Sequence, residues 1–145
     1  MHTIINDGGR EAAGYKGTAG DCGVRAVAIA TGKPYQEIYD RINKLAESER
    51  GRGRKKRKSS ARTGVWRETL NKLLAEEGFR WVATMAIGSG CTVHMAEDEL
   101  PDGILVCRLS KHYTTVINRQ CHDTHDPTRD GTRCVYGYWF KEPVQ

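Results

Sequence analysis

The first half of the chain places its apolar residues at the spacing of α-helices. Ile38, Ile42 and Leu45 recur every three or four positions, so they share one face of a helix. Gly32 is typical of a helix C-terminus, and Pro34 both prevents the helix from continuing and favours a new helix start. The pattern predicts three helices, over residues 22–31, 35–48 and 64–77.

Beyond Gly78 the pattern changes to short runs that are typical of β-strands. Five strands are predicted, at residues 79–84, 104–109, 113–117, 121–124 and 135–140. Helices followed by antiparallel strands favour an α+β layering, in which N-terminal helices pack on a small antiparallel sheet. The 145 residues are enough for one core, so we expect a single domain over residues 1–145. Residues 1–20 are glycine-rich and weakly patterned, and they predict an arm that leads to the first helix.

The cysteine content and the lack of a long apolar run indicate a cytoplasmic protein. The chain has five cysteines, an odd number, and no CxxC pair. In a cytoplasmic setting this argues against a disulfide framework and predicts free thiols. We expect no membrane association, because no stretch approaches the roughly 18 to 20 apolar residues of a membrane span and no signal peptide is recognisable. The cysteines are Cys22, Cys91, Cys107, Cys121 and Cys134.

The positive charge of the chain is concentrated in one segment. Residues 50–62 hold eight basic side chains and no acid, and without those eight the net charge of +5 becomes −3 for the rest. The segment is too charged and too glycine-rich to be buried, so we expect an exposed loop at about 49–63. Clustered Lys and Arg bind phosphate backbones through counterion release, which predicts non-specific contact with nucleic acid or another polyanion. The residues that would make this contact are Arg52, Arg54, Lys55, Lys56, Arg57 and Lys58.

Cys22 is the strongest candidate for chemistry because it begins the first predicted helix. Asp21 occupies the N-cap position, and the sequence Asp21-Cys22-Gly23 leads into an apolar run. A thiol in the first helical turn lies at the positive end of the peptide dipoles, which favours the thiolate. Since the thiolate is the nucleophilic form of cysteine, this position predicts a reactive side chain.

Two residues far downstream are candidate partners of this thiol. A three-residue turn at 118–120 places His112 opposite Asp126, on one face of a hairpin. In that register Asp123 points to the other face, but a two-residue turn reverses the assignment, so Asp123 is the second candidate. We predict a triad in which Cys22 attacks, His112 transfers the proton and Asp126 fixes the imidazole tautomer.

Cysteine, histidine and aspartate in this chain order resemble the papain-like cysteine peptidase superfamily. The likeness is closest to the bacteriocin-processing peptidase domains of ABC exporters, which show a DCG start, a histidine on a strand and a DP aspartate. It implies a papain-like fold, a peptide or protein substrate, and no cofactor. In the exporter peptidases a glutamine six residues before the cysteine donates to the oxyanion. Here that position is Lys16, so Lys16 or the Cys22 backbone N–H is the expected donor.

Most of the chain also resembles a widespread family of small, mostly uncharacterised phage and bacterial proteins. The matching stretches are residues 21–35, 59–65, 84–94 and 122–139. This likeness implies an origin in a phage or mobile element, and a place in the cytoplasm of a bacterial or phage-infected host cell. It implies little about the substrate.

Two other segments carry side chains of the types that bind metals. Cys91 with His94, and the run from Cys121 to His125, lack the paired spacing of structural zinc sites, so we expect no metal. Cys91 lies on a glycine-rich turn with no helix after it. It therefore ranks below Cys22 as a nucleophile and is expected near the site.

Two functions from different classes remain open. The first is a papain-like cysteine hydrolase, acting as a peptidase, isopeptidase or acyl transferase. The second is a non-catalytic papain-like protein whose basic segment binds nucleic acid or an acidic host protein. Neither pattern nor composition indicates an oligomeric state.

Overall fold

Three helices and six strands make up the part of the chain that the structure describes, residues 1–17, 19–49, 59–86 and 88–142 of a computed structural model. The helices are α1 (Cys22–Thr31), α2 (Tyr35–Glu47) and α3 (Arg67–Glu76). The strands are β1 (Thr3–Ile5), β2 (Arg80–Ala83), β3 (Ile104–Leu109), β4 (His112–Ile117), β5 (Gln120–Asp123) and β6 (Gly137–Lys141). The predicted α+β class is confirmed, and each predicted helix lies within about three residues of its observed bounds.

The six strands form one mixed sheet, in the order β1-β5-β4-β3-β6-β2. β1 runs parallel to β5, whereas the other neighbouring pairs are antiparallel. The prediction of a purely antiparallel sheet was therefore wrong at one edge. The segment predicted as an arm contains β1, whose three residues are too few to show a recognisable alternation.

Buried side chains cover both faces of the sheet. One cluster joins the three helices to one face and includes Val27, Ile38 and Leu73. A second cluster, which includes Leu105 and Val116, covers the opposite face. The helices thus lie on a single face of the sheet.

Helix α1 packs directly against β4, and this contact sets the position of its first turn. The buried Thr115 hydroxyl in β4 donates to the carbonyl of Ala26 in α1 at 2.6 Å. Gly23 packs against Val65, because a Cβ atom at Gly23 would lie only 3.1 Å from a methyl carbon of that valine. The lack of a side chain at this position lets the start of α1 approach the segment before α3.

Candidate active site

Cys22 is the first residue of α1, and its side chain is partly buried there. Burial by itself raises the pKa of the thiol. Hydrogen bonding from His112 and from the backbone of Tyr113, together with the charge of His112, outweighs burial and brings the pKa of Cys22 below its ordinary value. The imidazole and the helix start therefore favour the thiolate, as the sequence predicted.

Asp123 is the carboxylate that holds His112. Nε2 of His112 lies 2.7 Å from Oδ2 of Asp123, with the two side chains 11% and 4% exposed. The other carboxylate oxygen, Oδ1, accepts a hydrogen bond from the backbone N–H of Thr124 at 2.7 Å. Because Asp123 engages Nε2, Nδ1 is the ring nitrogen left for the thiol.

The length of one turn explains why Asp123 rather than Asp126 partners His112. Ile117 pairs with Gln120, so two residues form the turn instead of the predicted three. Both turn residues have positive φ angles, 47° and 66°, as a tight two-residue hairpin requires. Continuing this register moves Asp123 to the face of β4 that carries His112.

The predicted role of Asp126 in orienting the imidazole is therefore wrong. Its exposed carboxylate accepts two hydrogen bonds from Thr128, from the backbone N–H at 2.9 Å and from the hydroxyl at 2.6 Å. These bonds lower the pKa of Asp126. They close a local turn around Pro127, so Asp126 stabilises the loop after β5.

The pKa values indicate a thiolate–imidazolium pair. Burial lowers the pKa of His112, but Asp123 and then Cys22 raise it, to about 9. Burial raises the pKa of Asp123, but hydrogen bonds from His112 and Thr114 bring it below its ordinary value. Near neutral pH the imidazolium is thus held between the Asp123 carboxylate and the Cys22 sulfur, whose pKa it lowers. The negative charge of Asp123 keeps the proton on the ring beside the thiolate.

Asp21 is the N-cap residue of α1, as predicted, but its carboxylate makes no capping hydrogen bond to the helix. It is 1% exposed and contacts Arg10 at 3.0 Å and Arg25 at 3.3 Å. The hydroxyl of Tyr35 donates to the same carboxylate at 2.6 Å. A buried carboxylate is stabilised more by cations than by amide N–H groups. Through these contacts Asp21 links the loop before α1 to helix α1 and to helix α2, beside Cys22.

Lys16 is exposed in the loop before α1, and its backbone carbonyl accepts a hydrogen bond from Arg10 at 3.3 Å. An exposed lysine side chain is not held against the thiol. The Asp21 carboxylate accepts no hydrogen bond from the first-turn N–H groups of α1. The geometry therefore favours the Cys22 backbone N–H over Lys16 as the oxyanion donor.

Cys91 and Cys134 form a disulfide bond, which contradicts the prediction that the thiols are free. A β-bridge between His94 and Cys134, and a hydrogen bond from the Val135 N–H to the Val93 carbonyl at 2.8 Å, bring the two segments side by side. The cysteine Cα atoms are 5.8 Å apart, the usual spacing. Cys91 is therefore excluded as a rival nucleophile. The free cysteines are Cys22, Cys107 and Cys121.

Replacing both bonded cysteines with alanine is expected to lower the free energy of unfolding by about 2–4 kcal/mol, because the bond closes a loop across a sequence separation of 43 residues. Urea unfolding of the oxidised protein and of the Cys91→Ala/Cys134→Ala variant measures the difference. A reductant should destabilise the wild type by a similar amount and leave the variant unchanged. Equal midpoints for the two oxidised proteins would contradict this prediction.

Most of the basic segment, including all six predicted polyanion contacts, lies outside the described residues. Among the described residues of the predicted loop, Glu49 is 8% and Ser59 is 4% exposed, whereas Arg62 and Thr63 are exposed. The Thr69 hydroxyl donates to the Glu49 carboxylate at 2.7 Å and also bonds the Ser59 hydroxyl. The described part of the predicted exposed loop over 49–63 is therefore packed at Glu49 and Ser59 and exposed at Arg62 and Thr63.

Two functional neighbours of the thiol were not predicted from the sequence. Arg25 lies one helical turn after Cys22, and its charge contributes to lowering the thiol pKa. The exposed His125 lies beside His112, with ring centroids 5.4 Å apart, and its Nδ1 is 3.9 Å from Oδ1 of Asp123. Arg25 could have been found from the sequence, because residues three positions apart in a helix are neighbours on its surface. His125 could be placed only with the correct turn length.

Comparisons with protein-family models, curated proteins and solved structures found no match to this chain. None of the helices in the described ranges is both long enough and apolar enough to cross a membrane. Over the same ranges, no three potential metal ligands cluster together. The papain-like resemblance therefore remains a prediction.

Proposed function

We propose that this protein is a cysteine hydrolase with a papain-like triad of Cys22, His112 and Asp123. The observation that carries the proposal is the 2.7 Å contact between His112 and Asp123, on an imidazole that also lowers the pKa of the Cys22 thiol. A histidine that is buried for structural reasons needs no protonated imidazole between a carboxylate and a thiolate. Nucleophilic catalysis by cysteine uses this arrangement.

The chemistry follows from the roles of the three side chains. The Cys22 thiolate attacks the carbonyl carbon of an amide or thioester and forms a C–S bond. The His112 imidazolium gives its proton to the leaving nitrogen or sulfur as the intermediate collapses to an acyl-enzyme. The neutral imidazole then removes a proton from water, which attacks the acyl group and releases the thiol. Asp123 orients the ring and stabilises the imidazolium in both halves of the reaction.

Helix α1 supplies the environment for the negative oxygen of the intermediate. The Cys22 backbone N–H lies at the positive end of the helix, and the Asp21 carboxylate is engaged by Arg10 and Arg25 instead of capping it. A backbone donor and the helix dipole together stabilise developing negative charge. Lys16, which stands where the exporter peptidases have a glutamine, is therefore compatible with activity.

The arrangement of elements supports the papain-like part of the proposal. The nucleophile begins a helix that packs on the sheet, and the histidine and aspartate lie on neighbouring strands, β4 and β5. The chain order is cysteine, histidine, aspartate, as the resemblance implies, with Asp123 in the place predicted for Asp126. A peptide, isopeptide or similar amide is the substrate class that fits this reading.

Limited alkylation with iodoacetamide tests the proposed nucleophile. At pH 7 we expect Cys22 to react at least about 100-fold faster than the other free thiols. Burial raises the pKa of Cys107 and raises that of Cys121 to about 11, so neither is ionised at this pH. Mass spectrometry of the labelled peptides gives the three rates, and Cys22→Ser should remove the fast reaction alone. Uniformly slow alkylation would contradict the proposal and favour the non-catalytic alternative.

A further inference from the structure

Arg108 lies beside the proposed nucleophile on a neighbouring strand. It is directly opposite Tyr113 in the pairing of β3 with β4. Tyr113 and Cys22 line the same small pocket, and the Tyr113 side chain packs on the helix-covered face of the sheet. Opposed residues share a face, with Cβ atoms about 5 Å apart. Arg108 therefore shares the helix-covered face and lies one strand away from the reacting sulfur.

The guanidinium of Arg108 lies over the ring of Tyr136. It is partly exposed and 5.9 Å from the ring centroid. It also acts on the Tyr113 hydroxyl: burial raises the pKa of that group, and the charge and hydrogen bonding of Arg108 oppose the rise. Glu68 is close enough to act on the same hydroxyl. Even so, none of the ion pairs among the described residues includes Arg108.

Two other arginines near the triad are already engaged by groups of the protein. Arg25 is paired with Asp21 at 3.3 Å. Arg133 uses its guanidinium on backbone carbonyls, donating to Ser110 at 2.7 Å and to Pro127 at 3.4 Å. Arg108 therefore presents planar N–H donors that have no carboxylate partner among the described residues, on a strand next to the one that carries His112.

From these observations we infer that Arg108 binds the carboxylate of an acidic side chain in the substrate, next to the scissile bond. The inference rests on the proposed function, because it takes Cys22 as the point of attack. It narrows the substrate class to acidic peptides. An aspartate or glutamate side chain would form a bidentate ion pair with the guanidinium while its carbonyl faces the thiolate.

Two alkylating probes that differ only by a negative charge test this inference. Iodoacetyl-aspartate amide and iodoacetyl-asparagine amide have the same shape and the same reactive carbon. In the wild type we expect Cys22 to react about fivefold faster with the aspartate probe at low salt. Arg108→Gln should bring the two rates close to equality, and Arg108→Lys should keep part of the preference.

Arg80 provides a matched control on the opposite face of the sheet. It stacks on Phe140 at 5.1 Å from the ring centroid, and Phe140 packs against the cluster on the face away from the helices. Arg80→Gln should therefore keep the wild-type preference. Circular dichroism and thermal unfolding establish that each variant is folded.

The outcomes separate this inference from the proposed function. Equal rates for the two probes in the wild type would overturn the role of Arg108, whatever the stability of the variants. An unchanged preference in folded Arg108→Gln would do the same, although fast alkylation of Cys22 would still support a hydrolase. If Cys22 reacts no faster than Cys107 and Cys121 with either probe, the proposed function itself fails.

Discussion

Replacing Asp123 with asparagine is expected to slow the alkylation of Cys22 by iodoacetamide about 10- to 100-fold at pH 6. Burial lowers the pKa of His112, and Asp123 is the strongest of the groups that raise it to about 9. Without that charge the ring loses its proton at a lower pH, the thiolate loses its cation, and the pKa of Cys22 rises. The rate difference should shrink at alkaline pH, as the thiol ionises in both proteins.

Asp126→Asn is the matched control for this experiment. It makes the same chemical change three residues away, at a carboxylate that is exposed and bonded only to Thr128 among the described residues. We expect its alkylation profile from pH 5 to 10 to overlay that of the wild type. A rate loss in Asp126→Asn with none in Asp123→Asn would return the third position to Asp126. Thermal unfolding of both variants excludes loss of structure as the cause.

The choice between Asp123 and Asp126 as the partner of His112 depends on the length of one turn, between β4 and β5. His112 and Cys22 could be predicted because each lies at the boundary of an element with clear apolar spacing. The sequence Asn118-Arg119-Gln120 lacks the Asn-Gly pair that marks a two-residue turn, so two and three residues are both compatible with it. A change of one residue moves every later side chain to the other face of the strand.

Contacts between distant segments could not be predicted for a different reason. Arg10, one of the partners of Asp21, and Cys134, the partner of Cys91, lie outside the helices and strands, where no periodicity indicates which residues meet. Arg10 belongs to the segment interpreted as an arm, and Cys134 is separated from Cys91 by 43 residues. The helices were predicted well because their apolar faces are local patterns. The ion pairs and the disulfide are properties of the tertiary fold.

Replacing Asp21 with asparagine is expected to lower the free energy of unfolding by about 3–5 kcal/mol. Its carboxylate is 1% exposed and contacts Arg10 at 3.0 Å and Arg25 at 3.3 Å. Removing the charge leaves two partly buried cations without their anion, which costs more than the loss of a neutral hydrogen bond. Urea unfolding followed by circular dichroism measures the change. Tyr35→Phe, which removes only the 2.6 Å hydrogen bond to the same carboxylate, should cost about 1 kcal/mol.

The reactivity of Cys22 in the folded Asp21→Asn variant separates the two roles that a DCG aspartate can have. If Asp21 is an anchor, its loss leaves Arg10 and Arg25 uncompensated close to the thiol, and extra positive charge lowers the thiol pKa. Arg25 already acts in that direction in the wild type. Alkylation at pH 5 and low urea should then be as fast as in the wild type or faster, although the variant is less stable. Slow alkylation of a folded Asp21→Asn variant would instead make Asp21 part of the reacting machinery. A variant as stable as the wild type would show that the buried ion pairs contribute nothing to stability.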